Sequence, residues 1–151
     1  MRLFVDADSC PARVREIICK TALRLCVPVV FVANRTIPIP HNTCTTLVIT
    51  ESADQAADAY IVAHAQRGDI AITRDIPLAK SLVSAGVIVI NDRGIVYTAD
   101  NINERLSVRN FMYELQLNGL APEKTKTFGK KDIMLFAQTL DRETRRLMQR
   151  L

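Results

Sequence analysis

The sequence has no tryptophan, and aromatic residues make up only 5% of it. Recognition of single-stranded nucleic acid by base stacking needs exposed aromatic rings, so a stacking platform is disfavoured. Histidine occurs twice, as His41 and His64, in neither of the spacings that hold zinc. The cysteines, Cys10, Cys19, Cys26 and Cys44, form no CxxC pair. A chain of 151 residues that is 48% hydrophobic needs no disulfide staples. Cys19 and Cys26 lie seven apart in a helical segment, and buried, reduced thiols are expected. No apolar run approaches the ~20 residues of a membrane span. The start, Met1 to Asp6, carries two charges and no apolar core of a secretory leader. These absences point to a cytoplasmic protein with no membrane partner.

Glycine is equally scarce, with five residues in all, so each one punctuates the chain. Gly68, Gly86 and Gly94 divide the first part, and Gly119 and Gly129 the last. The apolar runs Arg2–Val5, Val29–Ala33, Thr45–Ile49, Asp69–Thr73 and Val87–Ile90 read as strands, with a short extra strand at Ile95–Tyr97. Helices are expected over Ala12–Leu25, Ala53–Gln66 and Pro77–Ser84, and then near Asn101–Asn118 and Lys130–Gln149. This alternation predicts an α/β fold of three layers, α/β/α, with a mainly parallel sheet. Residues 1–151 read as a single domain, with the helices from about 101 to 151 as its C-terminal extension.

The net charge of +4 is unevenly distributed. Residues 1–100 carry 10 basic and 10 acidic side chains, whereas residues 101–151 carry 10 and 6. The whole excess therefore lies in the last third. Arg105 and Arg109 share a helix face, and Lys124, Lys126, Lys130 and Lys131 flank a polar loop at 119–128. Such groups can follow a nucleic-acid backbone or simply keep a helix and loop solvated.

The acids of the first hundred residues have a different pattern. In an open parallel sheet, chemistry gathers at the carboxyl ends of the strands. Those ends read Val5-Asp6-Ala7-Asp8, Ala33-Asn34, Ile72-Thr73-Arg74-Asp75 and Ile90-Asn91-Asp92. Asp54 and Asp58 add an i,i+4 pair in line with Ile61 and Ala65, so at least Asp58 faces inward or toward a cleft. Several of these have ordinary uses: Asp8, Ser9 and Asp75 as helix caps, Asp54 in a first turn, Asp92 in a tight turn. Asp6 and Asp58 do not, because one ends an apolar strand and the other lies inside a helix on its buried side. Two carboxylates ~4 Å apart repel by about 4 kcal/mol at an effective dielectric of ~20, so protonation or a cation must compensate. An all-oxygen set suits Mg²⁺ or Mn²⁺.

These segments resemble the UPF0178 family, also called YaiI/YqxD or DUF188. The resemblance is carried by Val5-Asp-Ala-Asp-Ser-Cys-Pro11, Val32-Ala-Asn-Arg35, Ala57-Asp58, the run from Gly68 to Ala79 and the run from Val96 to Met112. Its members are regarded as PIN-like proteins, and the resemblance implies an acidic pocket that binds Mg or Mn and cleaves RNA or DNA. It implies Asp6, Asp58 and Asp75 as catalytic ligands, with Asp8 and Asp92 as further metal ligands. Many relatives read Asn-Pro-Arg-Gly where this chain has Asn91-Asp92-Arg93-Gly94, so Asp92 departs from the family pattern. Asn34 and Thr73 are the implied substrate-side groups, and Arg105 and Arg109, i,i+4 on one helix face, are candidates to stabilise negative charge on the substrate. Two other readings stand beside this one. Asp6-Ala-Asp8 imitates the opening of haloacid-dehalogenase-like phosphatases, but Cys10 and Pro11 do not continue that motif. A non-catalytic nucleic-acid or protein-binding module with the same fold is the other.

Overall fold

The computed structural model describes residues 1–40, 42–52, 55–120 and 127–150. Its centre is a six-stranded sheet built from β1 (Leu3–Asp6), β2 (Val29–Ala33), β3 (Thr45–Ile49), β4 (Ile70–Ile72), β5 (Ile88–Ile90) and β6 (Val96–Tyr97). The strand order is β3-β2-β1-β4-β5-β6. The first five strands are parallel, and β6 alone runs antiparallel, against β5. The helices are α1 (Ala12–Leu25), α2 (Ala56–His64), α3 (Ile76–Ser84), α4 (Ile102–Leu117) and α5 (Lys130–Met148), with a single 3-10 turn at Ala7–Ser9.

The strands are apolar at successive positions because both faces of the sheet are covered. Leu3, Val5, Val29, Phe31, Ile70 and Ile72 point to one side, where they meet Val14, Ile18 and Ala22 of α1 and Phe136 and Leu140 of α5. Phe4, Val32, Ala71 and Val89 point to the other, against Ile61 of α2, Leu78 and Leu82 of α3, and Ile102 of α4. The strand period of two thus assigns each residue to a layer, and the α/β/α arrangement follows.

Three details depart from the expectations. The helix expected over Ala53–Gln66 is the shorter α2. Gln55 adopts a left-handed conformation (φ 68°) in front of it, and Ala65 returns to extended backbone behind it; residues 53 and 54 lie outside the described set. Cys26 is not a buried residue of α1. It is the left-handed C-cap (φ 55°), and it is exposed, whereas Cys10 and Cys19 are buried; all four are free thiols. β1 extends one residue further than expected and takes in Asp6.

α5 reaches the sheet through one required glycine. Gly94, at φ 84°, sits in the β5–β6 turn, and a Cβ there would stand 2.5 Å from the Leu135 carbonyl oxygen. Close approach lets Thr139 Oγ1 donate to the Gly94 carbonyl at 2.7 Å. Asn91 shapes the same turn by accepting from the backbone N–H of Arg93 and Ile95.

Candidate active site

The strand order fixes where a cleft can form. From β1 the chain passes through α1 to β2 on one side, and it later returns to β4 on the other. The connecting helices lie on opposite faces, so the loops after β1 and β4 diverge and leave a crevice. Asp6 closes β1, and Thr73 to Asp75 follow β4.

Strand alternation aims Asp6 at the same face as Phe4, which is the α2 side. α2 packs on β1 and β2, and Ile61 anchors it there, 1% exposed. Asp58 lies one turn before Ile61, so the helix presents it to the crevice. The result is a pocket of about 350 Å³ lined by Asp6, Asp8, Ser9, Asn34, Asp58, Arg74 and Asp75, together with Gln55 to Ala57. Four of the acids read from the sequence therefore converge.

Each acid is held by its own neighbours. Asp6 is 8% exposed. Its Oδ2 accepts a 2.8 Å bond from Thr73 Oγ1 and a longer one, 3.5 Å, from Ser9. Thr73 Oγ1 in turn accepts from the Asp75 backbone N–H at 2.9 Å. Thr73 thus spends its proton on Asp6 and joins two acids. Asp75 caps α3, its Oδ1 accepting from Leu78 N–H at 2.9 Å. Asp8 Oδ2 accepts from the Asn34 backbone N–H. Asp8 Oδ1 is buried without a hydrogen bond, with Arg35 Nε 3.9 Å away.

The crowding shows in the proton affinities. Burial, then repulsion from Asp75 and Asp6, then a hydrogen bond with Asp75 push Asp58 up to about 7. Burial chiefly raises Asp6 as well; Asp75 and Asp8 add to this, and the bonds from Thr73 and Ser9 oppose it.

Asp92 is not one of the residues lining this pocket. It is 3% exposed and bonded to the Arg74 guanidinium. The same guanidinium lies 5.9 Å from the Phe128 ring. Arg74 is the pocket residue that reasoning from sequence passed over. Its position inside Thr73-Arg74-Asp75 was a usable signal, because it shares the strand end that carries the acids. Arg105 and Arg109 line a separate groove of about 360 Å³ with Ile76, Asn101, Glu104 and Val108. Ile76 follows Asp75, so the groove adjoins the acidic pocket. Arg105 stacks on Tyr97 at 5.7 Å. Lys130 and Lys131 are exposed at the start of α5; Asp54, Lys124 and Lys126 lie outside the described residues.

Among the described residues, no group of three or more His, Cys, Asp or Glu side chains is disposed to hold a metal ion. Mg²⁺ commonly takes only one or two carboxylates and keeps several waters. Asp58 and Asp75 are the two carboxylates within hydrogen-bond reach of one another, and Asp6 and Asp8 line the same pocket. No helix among the described residues is long and apolar enough to cross a membrane.

The fold and cleft define a three-layer α/β protein with a carboxylate pocket at the switch point of its sheet. The chain belongs to DUF188, described as an uncharacterized YaiI/YqxD family, whose model matches residues 4–146. It is 60% identical to a UPF0178 protein of Treponema denticola over 93% of this chain and 90% of the relative. It is 56% identical to one from Treponema pallidum, over 99% and 84%. A third, from Syntrophobacter fumaroxidans, is 50% identical over 95% and 94%. No solved structure matches significantly.

Proposed function

We propose that this protein is a Mg²⁺- or Mn²⁺-dependent phosphodiesterase of PIN-like type that cuts RNA or DNA. The observation that carries the reading is the convergence of Asp6, Asp58 and Asp75 at the sheet's switch point, with Asp58 raised to about 7. A carboxylate whose charged form is opposed first by burial and then by neighbouring acids has a use where a divalent cation relieves it. Asp58 and Asp75 would hold the ion, with Asp6 and Asp8 adding negative charge beside it in the same pocket and Asp92 acting through Arg74. A bound ion supplies an activated water and stabilises charge on a phosphoryl oxygen.

The chain's own residues do the rest. Thr73 fixes the rotamer of Asp6, and the first turn of α3 fixes Asp75. With its proton affinity raised to about 7, Asp58 is about half protonated at neutral pH, and a bound cation would favour its charged form. Arg74, set by Asp92 and Phe128, offers its guanidinium to a phosphate oxygen at the pocket wall. Asn34 lines the opposite wall. Arg105 and Arg109 follow the adjoining strand of substrate.

The test is cleavage of end-labelled RNA and DNA by purified protein with Mn²⁺. Asp6→Asn and Asp75→Asn are expected to lower the rate by at least about a hundredfold. Asn caps a helix as well as Asp does, so Asp75→Asn should keep the fold. Wild-type protein that neither cuts nor binds Mn²⁺ by calorimetry would sink the reading.

A further inference from the structure

The groove beside the acidic pocket is built differently from the pocket itself. Asn101, Glu104, Arg105, Val108 and Arg109 recur at spacings of three and four, so they share one side of α4 and its N-cap. Ile76, next to Asp75, lines the groove from the start of α3. Its volume of about 360 Å³ is within the range of small-molecule sites. Ile76 and Val108 give it apolar surface, for which a phosphate backbone alone has no use.

Its charged groups are unspent. Arg105 Nε is buried without a hydrogen bond, and the guanidinium lies over the Tyr97 ring, 5.7 Å from its centre. Arg109 Nη1 donates to Asn110 Oδ1 at 3.1 Å. Among the described residues neither arginine has an ion-pair partner, and the Glu104 carboxylate has no partner at all. Asn101, by contrast, is engaged: its Oδ1 accepts from the Thr98 N–H, and its Nδ2 donates to the Val96 carbonyl. A track for phosphates gains nothing from a carboxylate between its arginines, because that charge repels the backbone. Glu104 has a use there if the groove also takes a base.

We propose that the groove is a nucleobase subsite that prefers guanine, in the nucleotide beside the one cut. The proposal rests on the phosphodiesterase reading and adds what such an enzyme selects. The base lies against Ile76 and Val108, with the Arg105 guanidinium plane as a stacking surface. Glu104 is an acceptor only, and it takes the two adjacent donors of guanine's Watson–Crick edge, N1–H and the N2 amine. Adenine and cytosine offer one amine beside a ring acceptor. Uracil and thymine offer one N–H between two carbonyls that repel a carboxylate. The edges of Arg105 and Arg109 are left for the flanking phosphates.

Fluorescence anisotropy with Ca²⁺ in place of Mn²⁺ tests this by measuring binding without cleavage. The probes are a labelled oligouridine, the same chain with one central guanine, and the same chain with inosine there, which lacks the N2 amine. Oligothymidine with and without one guanine is the DNA counterpart. The guanine probe should bind at least about tenfold tighter than the plain one, with inosine between them. Glu104→Gln sets a donor beside an acceptor and should bring guanine and plain probes within about twofold of each other. Glu104 also lies in the first turn of α4, where a negative charge favours the helix. If that is its whole role, Glu104→Gln lowers the melting temperature and leaves the base preference as it was, which overturns the proposal. Equal affinity of the wild type for all probes overturns it too. Cleavage with Mn²⁺ but no base preference removes the subsite and leaves the nuclease. A guanine preference that needs Glu104, without cleavage, keeps the subsite and removes the nuclease.

Discussion

Asp58 shows how much one carboxylate can report. In an unfolded chain it titrates at its ordinary 3.8, and in the folded pocket at about 7. Between those values the folded state binds the extra proton, so stability falls as pH rises from about 4 to about 7. Asp6 is raised too and acts in the same direction. Asp58→Asn should therefore flatten the decline in melting temperature across that window without abolishing it. Differential scanning calorimetry at pH 4 to 8, without divalent ions, measures this; a variant that declines as steeply as the wild type would refute it. Sequence alone picked out Asp58 through its helix spacing to Ile61. It could not show that Asp75 comes within hydrogen-bond reach, because 17 positions separate the two. Asp92 illustrates the opposite case: its turn position was legible, while its engagement with Arg74 depends on two strands meeting.

At the scale of elements, the β5–β6 turn and α5 depend on one another. Gly94→Ala places a Cβ against the α5 backbone at a left-handed φ. Backbone cannot yield as a flexible side chain would, so the substitution should cost about 1–3 kcal/mol in urea denaturation. Gly68 also has a left-handed φ, but nothing lies within 4 Å of its missing Cβ. Its replacement by alanine should cost less than that of Gly94, and the reverse order would refute the argument. The element boundaries were readable wherever composition was sharp. α1, β2 and β3 lie where their apolar patterns and flanking prolines put them. α2 was misjudged because its alanine-rich start favours helix locally, while Gln55 turns left-handed at the pocket wall.

The whole molecule sets an acidic pocket beside a groove with two arginines. If Arg105 and Arg109 each meet one phosphate, replacing either with glutamine should weaken nucleic-acid binding across all sequences. It should also reduce the slope of log K against log salt by about 1. Fluorescence anisotropy of a labelled oligonucleotide with Ca²⁺ in place of Mn²⁺ reads this, and an unchanged slope removes both residues from the interface. The neutral first hundred residues and basic remainder foreshadowed this division, though not its geometry. By itself the sequence determined the α/β alternation, the two-sided burial of the strands and the placing of Asp6, Thr73 and Asp75 at strand ends. Those depend on local apolar pattern, turn residues and the handed path of a parallel sheet. Only the tertiary structure decided that Asp58 meets Asp75 and that Arg74 turns to Asp92. Each of these rests on contacts between elements distant in sequence, and their approach is settled only when the layers pack.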